Sequence, residues 1–310
     1  MRGPVAPPRL DDMTDIAKGL SNDLATIVER AGPSVVRVES SRTPGSGVVW
    51  SADGVIVAAS HSVEGEEGLE VGLPDGSSTP ATLIGRDPTT DVAALRVSAS
   101  GLLAPTWADP SGIKVGHLVL ALSRPGRSVR ASLGIVSVRG EAWRTPSGGR
   151  LDHYVQTDLA RHPGFSGSLL LGVGGEALGL NTSGLLRGAT LAVTGSTLRR
   201  VMEALVAHGQ VRRGYLGVGT YPVRLPAPLD KEAGQAIALM LVSVEPGSPA
   251  EKAGLRLGDA LVTFAGQALR HPSDLLSLLD AERIGAEVTV RLLRAGEPRE
   301  VALTVGTRNG

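Results

Sequence analysis

The chain has 310 residues, 31 basic and 31 acidic side chains, no net charge and no cysteine. A neutral balance removes the electrostatic basis for a nucleic-acid or anionic-membrane partner. The lack of cysteine excludes disulfides, zinc–thiolate sites and a cysteine nucleophile, and fits a bacterial or intracellular protein better than a secreted, disulfide-stapled one.

In chain order, the opening MRGPVAPPRLDD is Pro-rich and predicts disorder over 1–12. It also lacks the apolar stretch of an export signal. That reads as a cytoplasmic protein; a chain already trimmed of its signal, and so periplasmic, would look the same. No apolar run is long enough to cross a membrane. Over 14–30, Ile16, Leu20, Leu24, Ile27 and Val28 share one helical face. This predicts a helix in an N-terminal segment 1–32, packed on the next domain or serving as an oligomer contact.

From Pro33 the period changes. Short apolar runs such as SVVRVES, GVIVAAS and DVAALRVS alternate with turn signals such as ADG and PDG. After a Pro- and Gly-rich break come HLVLALS, SLGIVSVR, HYVQTD, SLLLGV, EALGLNTS and ATLAVT. This predicts a mostly β domain over 33–210 with two strand sets, about 33–98 and 115–195. A helix follows over 196–208, with Leu198, Val201, Met202 and Leu205 at helical spacing and Ser196 as N-cap. Residues 214–306 read as a second domain, five or six strands with two short helices in a small, partly open barrel.

Three segments carry chemistry. QTDLARHPGFSGSLL (156–170) sets Ser166 among glycines ahead of an apolar run. A nucleophilic serine needs a base beside it and amide donors for the oxyanion, and the amides of Gly164 and Ser166 are placed to supply them. Taken alone, such a segment is more often a structural turn. VIVAASHSVEG (55–65) places His61 directly after a strand. His153 and His162 are too near Ser166 in sequence to come from a separate barrel, and His208 and His271 lie beyond the second strand set. DPTTDVAALRV (87–97) offers Asp91 as the acid that orients His61, with Asp87 as competitor.

In combination these segments resemble the HtrA family of serine proteases. GSGVVWSADGVIVAASHSV is similar to the family's histidine motif, TDVAALRV to its aspartate motif, and QTDLARHPGFSGSLL to its serine motif. The order is His, Asp, Ser, with 30 residues from His61 to Asp91 and 75 from Asp91 to Ser166. The resemblance implies two six-stranded antiparallel barrels of the chymotrypsin type. It implies a serine endopeptidase of protein quality control and stress response, acting on unfolded polypeptides without metal or other cofactor, and a homotrimer. It also assigns Ala160, Leu180, Asn181 and Thr182 to the substrate pocket, where Ala160 argues against preference for Arg or Lys. GYLGVG and SPAEKAGLRLGDALVTFAGQAL resemble a PDZ domain. Tyr215, Leu216, Gly217 and Val218 would then receive a peptide C-terminus, the peptide adding as a strand beside Ile237–Val244 against the helix 272–282. GEAWRTPSGGR (140–150) corresponds to a loop that relays PDZ occupancy in the family, or is a plain exposed hairpin.

The sequence departs from the family at Phe165, where Asn is usual, and at Ser168-Leu169, where Gly followed by Pro or Ala is usual. Phe165 would shape or obstruct the leaving-group side. The alternative function is therefore a weak or inactive chaperone or scaffold of the same fold. An α/β-hydrolase, suggested by GFSGS, needs alternating strands and helices and a histidine after the serine, which 34–194 does not offer.

Overall fold

A computed structural model describes residues 10–307 except 41–43, 66, 109 and 187. It divides into two compact units. The first runs to Val211 without 146–148; the second comprises 146–148 and the chain from Arg212.

The first unit begins with α1 (Leu10–Ala31), two turns of which hold Leu24, Ile27 and Val28 against the core. Disorder expected over 1–12 therefore fails at 10–12, which are helical; residues 1–9 lie outside the described residues. Next come β1 (Val35–Glu39), β2 (Gly45–Ser51), β3 (Val55–Ala59), β4 (Glu70–Gly72), β5 (Ser78–Asp87) and β6 (Val92–Val97). They close into an antiparallel barrel in the order β1-β2-β3-β6-β5-β4. The following strands are β7 (Leu118–Ser123), β8 (Arg130–Gly140), β9 (Trp143–Arg144), β10 (Arg150–Leu151), β11 (Tyr154–Thr157), β12 (Leu169–Gly172), β13 (Ala177–Thr182) and β14 (Thr190–Thr194). Six of them close a second barrel, β11-β14-β13-β12-β7-β8, while β9 and β10 stand apart as a two-stranded hairpin.

Alternation along the strands explains how the barrels stay joined. One set of side chains fills each interior: Val36, Val49, Ile56 and Leu95 in the first barrel, Val119, Val136, Val155 and Leu170 in the second. The opposite set, including Val57, Val92, Leu120, Leu169 and Leu180, forms a third cluster shared by both. Each such side chain removed from water contributes roughly 1.5–3 kcal/mol. Helix α2 (Gly195–His208) seats Leu198, Val201, Met202 and Leu205 in that shared cluster. Its N-cap is Thr194 rather than the expected Ser196, because the chain leaves β14 at Thr194, whose hydroxyl donates to the His153 carbonyl.

The second unit contains β15 (Gly214–Tyr215), β16 (Val218–Arg224), α3 (Leu229–Ala233), β17 (Ile237–Val244), α4 (Pro249–Lys252), β18 (Ala260–Phe264), β19 (Gln267–Ala268), α5 (Pro272–Leu278), β20 (Glu287–Arg294), β21 (Glu297–Thr304) and β22 (Gly306–Thr307). The main sheet runs β16-β17-β18-β20-β21, with β19 on β18. Leu216, Leu239, Leu261, Phe264, Leu275 and Val290 are among its core. There are three short α-helices where two were expected. The strand β17, expected to accept a peptide, is paired by β16 on one side and β18 on the other. The sheet ends at β16, beside α5, and at β21.

Candidate active site

Register brings His61 and Asp91 together. Strands β3 and β6 pair antiparallel with Ala59 opposite Val92. His61 follows the end of β3 by two residues and Asp91 precedes β6 by one, so the 30-residue interval closes at one rim of the barrel. Asp91 grips the histidine segment three ways. Its carbonyl accepts the Ser60 amide at 3.1 Å, Oδ1 accepts the His61 amide at 2.9 Å, and Oδ2 lies 2.7 Å from His61 Nδ1. To do so its backbone takes φ +58, a left-handed conformation that Asp tolerates better than most residues. Asp87 is excluded as the acid, because its carboxylate binds within its own turn, to Thr89 and Thr90.

The Asp91 side chain is 5% exposed and that of His61 41%. The hydrogen bond that His61 donates to Asp91 raises its pKa above its ordinary 6.5, against the opposing pull of burial. Thr182 adds a second donor, its hydroxyl bonding Asp91 Oδ2. Gly184, whose amide donates to Thr182 Oγ1, lies against the pair: a Cβ there would sit 2.7 Å from His61 Nδ1 and 2.8 Å from Asp91 Oδ2.

Ser166 comes from the other barrel. Leu169 on β12 faces Leu180 on β13, so three residues outward from each strand Ser166 faces Ser183. The two hydroxyls are 3.1 Å apart, and the Ser183 amide donates to Ser166 Oγ at 3.3 Å. No hydrogen bond joins Ser166 to His61 in this state. Both side chains line one cleft of about 280 Å³ that also includes Gly45, His162, Gly164 and Ser183.

The serine loop is two consecutive tight turns. Phe165 N donates to the His162 carbonyl at 2.9 Å and Ser168 N to the Phe165 carbonyl at 3.0 Å. The third residues of these turns are Gly164 and Gly167, with φ +80 and +82, values open to glycine. Among the described residues, the amides of Gly164 and Ser166 donate to no protein acceptor. Ser46 fixes the loop from the first barrel. Its hydroxyl donates to the Gly164 carbonyl at 2.7 Å, and its amide to the Ser166 carbonyl at 3.2 Å.

The residues at which the sequence departs from its relatives are absorbed. Phe165 is 2% exposed and packs into the second barrel's core, so it anchors the loop rather than obstructing it. Ser168 is fully buried and accepts a hydrogen bond from Asn181 Nδ2 at 3.0 Å. The pocket expectation fares differently. Leu180 is in the shared core, Thr182 serves Asp91, Asn181 bonds Ser168, Ala160 is exposed, and none of the four lines the cleft. Leu180 and Thr182 share one face of β13 and meet the core and Asp91, while Asn181 on the opposite face bonds Ser168. Ser46, Ser183 and Gly184 were missed by sequence reasoning; only the outward extension of the β12–β13 register would have found Ser183. No cluster of His, Asp or Glu suited to a metal ion occurs among the described residues.

In the second unit, Leu216 and Gly217 join the end of β15 at Tyr215 to the start of β16 at Val218. Leu216 is buried in the core, the Gly217 carbonyl accepts the Glu245 amide at 2.8 Å, and Tyr215 Oη donates to Glu245 at 2.5 Å.

Comparison with known proteins agrees with this geometry. Residues 45–180 match the trypsin-like peptidase domain and 214–305 the PDZ domain. The HtrA-type protease AlgW, solved with a tripeptide, superposes with a TM-score of 0.71 at 30% identity, over 92% of this chain and 97% of that one. This chain belongs to the HtrA family of serine proteases. A second structure, the serine endoprotease from Yersinia pestis, gives a TM-score of 0.72 at 28% identity, covering 93% of this chain and 98% of that one. Probable periplasmic DegP-like serine endoproteases from Rhizobium meliloti and Chlamydia trachomatis are 33% and 31% identical over 90% and 84% of the chain. The chain spans only 56% and 53% of those two relatives' own lengths. The cytoplasmic expectation is overturned by these HtrA relatives, which are named periplasmic; the opening residues carry no weight against that.

Proposed function

We propose that this HtrA-family chain is a serine endopeptidase that cleaves unfolded or damaged polypeptides outside the cytoplasm, its second domain binding peptide C-termini. The observation that carries the reading is the grip of Asp91 on both the backbone and the ring of His61, in one cleft with Ser166. In this reading Ser166 Oγ attacks the scissile carbonyl. His61 takes its proton and returns it to the leaving amine, while Asp91 holds the tautomer and stabilises the imidazolium. The free amides of Gly164 and Ser166 receive the oxyanion. Before attack, the Ser166 hydroxyl leaves Ser183 for His61 Nε2.

A peptide would add beside β16 at the end of the sheet, with its carboxylate at the segment Tyr215, Leu216, Gly217 and Val218. The peptidase domain spans 33–210 and the PDZ domain 214–306, and the assembly is a homotrimer. Labelling by a fluorophosphonate, abolished in Ser166→Ala, tests the enzymatic reading. A parent that takes no label and cleaves no casein in any oligomeric or peptide-bound state would instead be a scaffold of the same fold.

A further inference from the structure

We propose that His162 is a positioning residue for the oxyanion site: its ring holds the Pro163–Gly164 peptide in the orientation that turns the Gly164 amide into the cleft. The inference deepens the peptidase reading and rests on it.

The turn from His162 to Phe165 has Pro163 second and Gly164 third. With Gly164 at φ +80 it is type II. The type I alternative differs by a flip of the central peptide, Pro163–Gly164. In a planar trans peptide the C=O and N–H point in opposite directions, so whatever fixes the Pro163 carbonyl fixes the Gly164 amide. His162 Nδ1 lies 2.9 Å from that carbonyl. A carbonyl only accepts, so Nδ1 carries the proton. Nε2 is then free to accept from the Ser132 hydroxyl, 3.5 Å away on β8. The ring also stands edge-on to the buried Phe165, with centroids 5.9 Å apart. Three contacts of different kinds thus fix one ring, and that ring fixes one peptide. The Gly164 amide, left without a protein acceptor, faces the side opposite His162.

The test compares the parent with His162→Leu, which keeps bulk against Phe165 and removes the donor, and His162→Asn, whose amide nitrogen replaces Nδ1. Hydrolysis of a valine-ended peptide p-nitroanilide and inhibition by the matching peptide boronate are measured, with crystal structures of all three. Loss of an entire oxyanion donor costs about 10²–10³ in kcat, so partial loss of its orientation should cost about tenfold. We expect His162→Leu to lower kcat about tenfold with KM little changed, to weaken boronate binding in parallel, and to show the 163–164 peptide flipped. His162→Asn should restore all three. Equal kcat and boronate affinity across the series, with the peptide unmoved, overturns the proposal. If the parent itself turns nothing over, the peptidase reading falls. The peptide's orientation in His162→Leu then decides for or against the positioning role by itself.

Discussion

The Ser183 hydroxyl lies 3.1 Å from that of Ser166, and the Ser183 amide reaches the same oxygen. The nucleophile is therefore occupied by a neighbour on the paired strand rather than by His61. A neutral hydrogen bond contributes roughly 0.5–1.5 kcal/mol. Ser183→Ala, which keeps the amide and deletes the hydroxyl, should accelerate acylation by a fluorophosphonate about two- to tenfold. A slower or unchanged rate would show that the contact does not restrain Ser166.

The pH dependence follows from His61. As a base it must be neutral, and its pKa is raised above 6.5 chiefly by the hydrogen bond it donates to Asp91. The acid limb of kcat/KM should fall above pH 6.5, and Asp91→Asn should move it down while lowering kcat by about 10⁴-fold. The same pair contributes to stability. A raised folded pKa means that contribution is full below the unfolded value and lost as pH rises through the folded one. Stability in Asp91→Asn should accordingly differ most from the parent on the acid side of that window.

Gly184→Ala should disable the site with little change in fold. Its Cβ would come 2.7 Å from His61 Nδ1, in an exposed loop where the backbone itself is not crowded. A displacement of the imidazole by about 1 Å costs about 10² in rate. Turnover and thermal melting measured on the same sample separate the two effects; loss of both together would count against this account.

In the second unit, Asp259 is 1% exposed and bound at both oxygens by Arg294, at 2.8 and 2.7 Å. Burial alone would raise its pKa, but the guanidinium holds it below the usual carboxylate range. Arg294→Met leaves the buried carboxylate with the Arg256 amide as its remaining donor and should cost about 3 kcal/mol, at the low end for a buried pair because the arginine is partly exposed and that amide stays. Faster hydrogen exchange of β18 and β20 in the full chain would report it. Because the folded pKa is lowered, the pair's contribution is present above the unfolded pKa and lost as pH falls through the folded one.

Most of the framework was legible because it is periodic. Alternating runs marked the barrel strands, and the 3.6-residue pattern marked α2. Asp91 and His61 were found because each sits at a strand end in a segment shared with relatives. Which residues of β13 face the cleft was not legible, since naming residues along a strand does not say which way each points. That is decided by pairing with β12, which sends Leu180 to the core and Thr182 to Asp91. That β17 is paired on both sides was likewise not legible, because strand order in a sheet is long-range information absent from any local run. Ser46 was invisible for the same reason, as its partner Gly164 lies 118 residues away.

Arg124 is buried with no carboxylate beside it; its guanidinium reaches the carbonyls of Gly32, Val35 and Arg127 instead. Its own amide meets the Ser46 hydroxyl that clamps Gly164. The junction between the leading helix and the first strand is thus a foundation for the oxyanion loop. A version of the protein shortened past Gly32 would lose more than a terminus: it would take one of three acceptors from a buried cation whose own amide meets the clamp, and weaken catalysis at a distance.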